Sequence, residues 1–134
     1  MPEAERLNEV RKWAEKAEED ARAVEILVRA REESPASAIC FHAQQCVEKY
    51  LKAFLTWRAV LFPKTHDLAE LVDLIPEAVE LRLTPEEQDA LTAYAVGTRY
   101  ASRTVGKNEA EEAVKVARAA REDLRKLLPP AALQ

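Results

Sequence analysis

The residues best able to do chemistry cluster on one short stretch, Phe41 to Leu55. With side chains about 100° apart around a helix axis, His42, Gln45, Lys49, Lys52 and Thr56 fall in an arc of roughly 80°, beside an apolar face. Two cations, an imidazole and an amide on one ridge can hold a phosphate or the edge of a base. The same arc also reads, more simply, as a solvated helix face. His66 stands at a predicted helix start, where free amides can receive an anion; packing against the cap is the plainer role. Arg99, Tyr100, Arg103 and Lys107 form a basic, aromatic-containing loop in an acidic chain. Arginine beside tyrosine suits phosphate contact with base stacking, and equally an ion pair with a packed ring.

Other chemistries find less footing. His42 and Cys46 have a chelating spacing, but no second close-spaced Cys/His pair accompanies them, so no metal and no cofactor is expected. Cys40 and Cys46, on one helix, lie roughly 9 Å apart along its axis, too far for a disulfide, and read as small buried apolar residues. The chain shows no glycine-rich phosphate loop, no nucleophile arrangement and no framed carboxylate pair.

The elements that must carry these residues are helices. A first helix from about Glu3 to Arg31 has the stripe Leu7, Val10, Ala14, Ala17, Ala21, Val24 and Val28 at steps of three and four. Ser34-Pro35 starts a second helix. It runs to about Leu61, ahead of Pro63, and its wide apolar face (Ile39, Ala43, Cys46, Val47, Tyr50, Phe54, Trp57, Leu61) suits a central position. A short third helix opens at Thr65-His66-Asp67, with Asp67 and Glu70 as a capping box, and closes at Pro76. Thr84-Pro85-Glu86-Glu87 opens a fourth helix that frays near Gly97. Asn108 caps a fifth, with Glu111 at the box position; Pro129-Pro130 ends it, and residues 129–134 are expected to fray. The predicted fold is all-α: an up-down bundle of four long helices plus one short helix, in a single domain over 1–134.

Composition agrees. In 134 residues, 48% are apolar, 33% are charged and only two are glycines, the balance of a folded helical chain. A net charge of −4 excludes indiscriminate coating of DNA, which needs a basic surface, but permits a local basic patch. No apolar run approaches bilayer length and no leader pattern opens the chain, so no membrane association and a cytoplasmic location are expected.

The stretch Phe41-His42-Ala43-Gln44-Gln45-Cys46-Val47-Glu48-Lys49-Tyr50-Leu51-Lys52-Ala53-Phe54-Leu55 resembles the second helix of HEPN-domain proteins. Lys64-Thr65-His66-Asp67-Leu68 resembles that family's Thr-His-Asp-Leu step, and Thr98-Arg99-Tyr100 its Thr-Arg-Tyr segment, in family order. The resemblance implies a homodimer, nucleotide binding and pairing with a small nucleotidyltransferase, often as toxin and antitoxin. Many members are metal-independent RNases that use an arginine followed four to six residues later by histidine. Here Arg99 is followed by Tyr-Ala-Ser-Arg-Thr-Val-Gly, and Arg103 also has no histidine after it. Arginine can stabilise phosphorane charge but stays protonated, so it cannot move the proton. Ala101 stands where the family usually has proline.

Three readings follow. The first is a binding module, leaning away from a self-sufficient enzyme. In it His42, Gln45, Lys49, Lys52, His66, Arg99, Tyr100 and Arg103 contact a nucleotide or RNA, in a dimer partnered by a nucleotidyltransferase. The second is an RNase toxin with a displaced histidine, His42 or His66, meeting Arg99 across a cleft. The third is a structural dimeric helper with no ligand. The first requires that the second-helix ridge and the Arg99-Tyr100 bend open onto one recess.

Overall fold

The computed structural model describes residues 1–30, 35–95 and 104–134. Among them the elements are α1 (Glu3–Arg29), α2 (Ala36–Trp57), α3 (Leu68–Val72), α4 (Pro85–Thr92) and α5 (Lys107–Leu127), with 3-10 turns at Ala93–Ala95 and Pro130–Leu133. The fold is an all-α bundle, as the periodicity predicts. α2 lies at its centre: Cys40, Ala43, Val47, Tyr50, Leu51, Phe54 and Leu55 are all but completely buried. An apolar arc this wide can be satisfied only by neighbours on several sides, and α1 and α5 supply the largest of them.

Cross-contacts set the directions. Asp20 meets His42, Trp13 lies near Lys52, and Arg6 lies over Trp57, so α1 and α2 run antiparallel. Arg121 and Arg118 of α5 reach Glu18 and Glu25 of α1, in the reverse order along the two chains, so α5 runs against α1 and alongside α2.

α2 stops at Trp57, four residues before the predicted Leu61. Ala59 takes a left-handed conformation (φ 58°), its N–H donates to Thr56 O at 3.0 Å, and Val60 N–H donates to Leu55 O at 2.9 Å. These two bonds form a Schellman cap. The turn is normally marked by glycine, so an alanine there hides the helix end. Leu61, predicted as core, is 94% exposed, and Val28 at the end of the α1 stripe also faces outward.

Caps differ too. Thr84 and Glu87 form the predicted capping box, each side chain bonding the other's backbone N–H. Asp67 caps α3 through Ala69 N–H, but Glu70 does not close a box; it accepts from the Thr65 hydroxyl at 2.7 Å. α5 begins one residue before Asn108, with Gly106 at its cap and no side-chain cap bond. Ser34 lies outside the described residues, and Pro35 occupies the cap position of α2. The carboxyl end is not frayed. Pro130–Leu133 form a 3-10 turn against α1, Ala132 is buried, and Arg11 donates to Ala131 O at 3.1 Å.

Candidate functional site

The ridge predicted on α2 is present, but acids on both sides claim its cations. Toward α1, Asp20 is buried. Its Oδ1 lies 2.8 Å from His42 Nδ1, and its Oδ2 accepts from Lys49 Nζ at 2.6 Å. Toward α3, Glu48 is 3% exposed and accepts from Lys52 Nζ at 3.0 Å and Gln44 Nε2 at 3.1 Å, with His66 Nδ1 at 2.8 Å. Gln45 adds to the Glu48 half, donating to Gln44 Oε1 at 2.7 Å and reaching Glu48 at 3.5 Å.

Lys52, expected to face a ligand, is instead buried. Its ammonium sits 5.5 Å from the Trp13 ring centre and 6.0 Å from that of Phe62, and its charge is answered by Glu48. The reason is positional: Lys52 is one turn on from Glu48, so the pair closes within α2 and aromatic rings of neighbouring segments cover it. His66 precedes a helix of only five residues, and its ring turns onto Glu48.

Glu48 organises this end of the site. Burial raises its carboxyl pKa, but hydrogen bonds from Gln44, His66 and Lys52, with the Lys52 charge, outweigh that and hold it below the usual carboxylate value. An ionised carboxylate only accepts hydrogen bonds, so His66 Nδ1 carries a proton and Nε2 is left as the acceptor of the neutral ring. The His66 side chain is 62% exposed, so that nitrogen can reach solvent or a ligand. Gln44 also donates to the His66 backbone carbonyl at 3.0 Å, which pins the residue before α3. A base oriented by a buried acid can take or return a proton, or donate to a phosphate once protonated. His42 on Asp20 is a second such pair, less exposed and with Lys49 sharing the acid.

Sequence reasoning missed Asp20, Gln44 and Glu48. A signal for two of them was available: Gln44, Glu48 and Lys52 recur at intervals of four inside the apolar arc, where a lone polar side chain would be costly. Nothing in the α1 pattern separates Asp20 from the acidic solvent face around it. A third ionic group lies between α1 and α5. Glu18 accepts from the Tyr50 hydroxyl and from Arg121 Nε at 2.6 Å, while Arg125 Nη1 donates to the Tyr50 oxygen at 2.8 Å. Burial opposes the Glu18 charge, but these donors keep its carboxyl below the ordinary value, and the Tyr50 hydroxyl is pushed up, first by burial. Among the described residues no group of acids, histidines and cysteines is arranged to hold a metal. Arg99, Tyr100 and Arg103 lie outside the described residues.

Among the described residues, no helix is long and apolar enough to cross a membrane. Searches among curated proteins and solved structures give no match. The sequence does match the HEPN domain family over residues 10–127, a span from early α1 to the last turn of α5. That span includes the Gln44–Glu48–Lys52 ladder, the Asp20 pairings and His66, and with most of its length matched, this chain belongs to the HEPN-domain family, whose work concerns nucleotides and RNA.

Proposed function

We propose that this protein binds a nucleotide or RNA as the dimeric helical partner of a small nucleotidyltransferase, in a toxin–antitoxin pair, and leaves nucleotidyl chemistry to that partner. The observation that carries the reading is the exposed His66 ring held by buried Glu48, with the His42–Asp20–Lys49 group carried on the same helix, α2. Family membership supplies the ligand class. In this proposal His66 Nε2 and the outer edges of His42 and Lys49 meet phosphate oxygens or base edges. Lys52 contributes by keeping Glu48 ionised. Arg99, Tyr100 and Arg103 complete the ligand contacts in this proposal.

Titrating labelled ATP, GTP and short RNA into the pure protein at low salt tests it. Binding should weaken in His66→Ala and in Lys49→Ala, and more so in Arg99→Ala. Failure of all three probes to bind removes the nucleotide reading. A monomer by light scattering, or failure to co-purify with a nucleotidyltransferase expressed alongside, removes the corresponding half.

A second reading has one observation in its favour: His66 is a carboxylate-oriented, exposed imidazole in a family many of whose members cleave RNA. In that reading His66 moves the proton and Arg99 stabilises the phosphorane. RNA cleavage in excess chelator, lost in both His66→Ala and Arg99→Ala, would select it.

A further inference from the structure

A groove of about 730 Å³ lies between α1 and α5, and none of His42, Gln45, Lys49, Lys52 or His66 lines it. Its floor is small and apolar: Ala21, Val24, Cys46, Val114 and Ala117. α1 and α5 stand apart here and are tied across the gap by long side chains, Arg121 to Glu18 at 2.6 Å and Arg118 to Glu25 at 2.7 Å. Small floor residues and bridged walls leave space that the chain itself does not fill.

The rim charges are unbalanced. Four arginines (Arg22, Arg29, Arg118, Arg121) line the groove against two glutamates, in a chain whose net charge is −4. Glu18 and Glu25 are already engaged by the α5 arginines. Arg22 and Arg29 are both exposed and donate no hydrogen bond among the described residues, and the Arg29 charge bears on Glu25 only at longer range than the Arg118 hydrogen bonds. They are seven residues apart on one helix face, about 10.5 Å along the axis. Ile26 lies between them, 65% exposed, at the groove's edge.

We propose that this groove receives an acidic amphipathic helix from a partner protein. Its apolar side chains would enter over Ala21, Cys46 and Ala117. Two acids seven residues apart would meet Arg22 and Arg29, since equal rises along parallel axes keep both pairs in register. From Glu18 to Arg29 the α1 wall measures roughly 16 Å, or three turns of such a helix. A mixed wall of paired ions with a cationic surplus favours acidic helices and rejects basic ones. The inference extends beyond the nucleotide reading, because it uses a different face and different residues.

The test uses the full chain and a labelled 18-residue helical peptide with leucines on one face and two glutamates seven apart. Three control peptides accompany it: a scrambled order, lysines for the glutamates, and glutamates five apart. The first should bind, and the scrambled, lysine and misregistered peptides about tenfold or more weaker, the scale of like-charge or mispaired contacts at an interface. The double variant Arg22→Glu/Arg29→Glu should lose the glutamate peptide and gain the lysine peptide. Ala117→Leu, which fills the floor, should weaken both. Equal binding of the scrambled peptide, or binding unchanged in the double charge reversal, overturns the proposal. So does displacement of the peptide by ATP, which would make the groove a nucleotide site. Dissociation of a homodimer by the same double variant would make it a self-association surface, and likewise overturns it. Nucleotide and RNA titrations on these proteins keep the two proposals separable, because Arg22→Glu/Arg29→Glu touches no residue of the His66 face.

Discussion

Replacing Glu48 with glutamine should cost far more than one surface charge. Glu48 is 3% exposed and Lys52 is 7% exposed, with Nζ and carboxylate 3.0 Å apart. Removing one partner strands a buried ammonium, which costs about 3–5 kcal/mol. The replacement amide can still accept one hydrogen bond, and the Trp13 and Phe62 rings still face the ammonium at 5.5 and 6.0 Å. A cost near the low end, about 3 kcal/mol, is therefore expected, or a Tm lower by about 10 °C in a chain of this size. Urea unfolding followed by circular dichroism measures it. Glu48→Met/Lys52→Met, which removes both charges at similar volume, should return to within about 1 kcal/mol of the parent. The pH dependence has a definite sign. The folded carboxyl lies below its ordinary value, near 4.5, so its contribution is full above that value and is lost as pH falls through the folded one. The parent and Glu48→Gln curves should therefore converge in acid. If the single variant lies within about 0.5 kcal/mol of the parent, or the double variant is as unstable as the single, the reasoning is refuted.

Other outcomes follow from the same geometry. Ala59→Gly should stabilise the protein by about 1 kcal/mol, because glycine adopts the left-handed cap of α2 without the Cβ penalty; a lower urea midpoint would contradict this. The Cys46 thiol, pushed up to about 12 chiefly by burial and then by Glu18, should resist iodoacetamide at pH 8 and react once denatured. Because that thiol stays protonated in the fold, its part of the stability should fall as pH rises above the unfolded thiol value, near 8.5. Glu18→Gln should cost about 2 kcal/mol, since Tyr50 and Arg121 lose a charged acceptor, with the difference from the parent vanishing in acid by calorimetry.

Much of the architecture is carried by local rules. Steps of three and four in α1, the wide arc of α2 and the Thr84 box are each decided within a few residues, so helix type, order and most starts were readable directly. Boundaries failed where the local marker was missing. Ala59 ends α2 in a conformation that normally announces itself as glycine. The carboxyl-terminal turn is held by α1 through Arg11, a contact across the whole chain. The Arg99-Tyr100 bend lies outside the described residues, so its meeting with α2 in one recess stays part of the proposal.

The candidate site divides along the same line. Residue types and helical angle alone bring His42, Gln45, Lys49 and Lys52 onto one side of α2, because a single helix sets their directions. Which of them faces a ligand depends on where the acids lie. Asp20 arrives from α1, Glu48 acquires its role only when His66 folds back from before α3, and Lys52 is covered by Trp13 and Phe62 from neighbouring segments. Charge can be counted along a chain, but its burial and its counter-ion are properties of the packed bundle. For the same reason the α1–α5 groove, built from two helices ~90 residues apart in sequence with α2 beneath them, had no signature in the order of the residues.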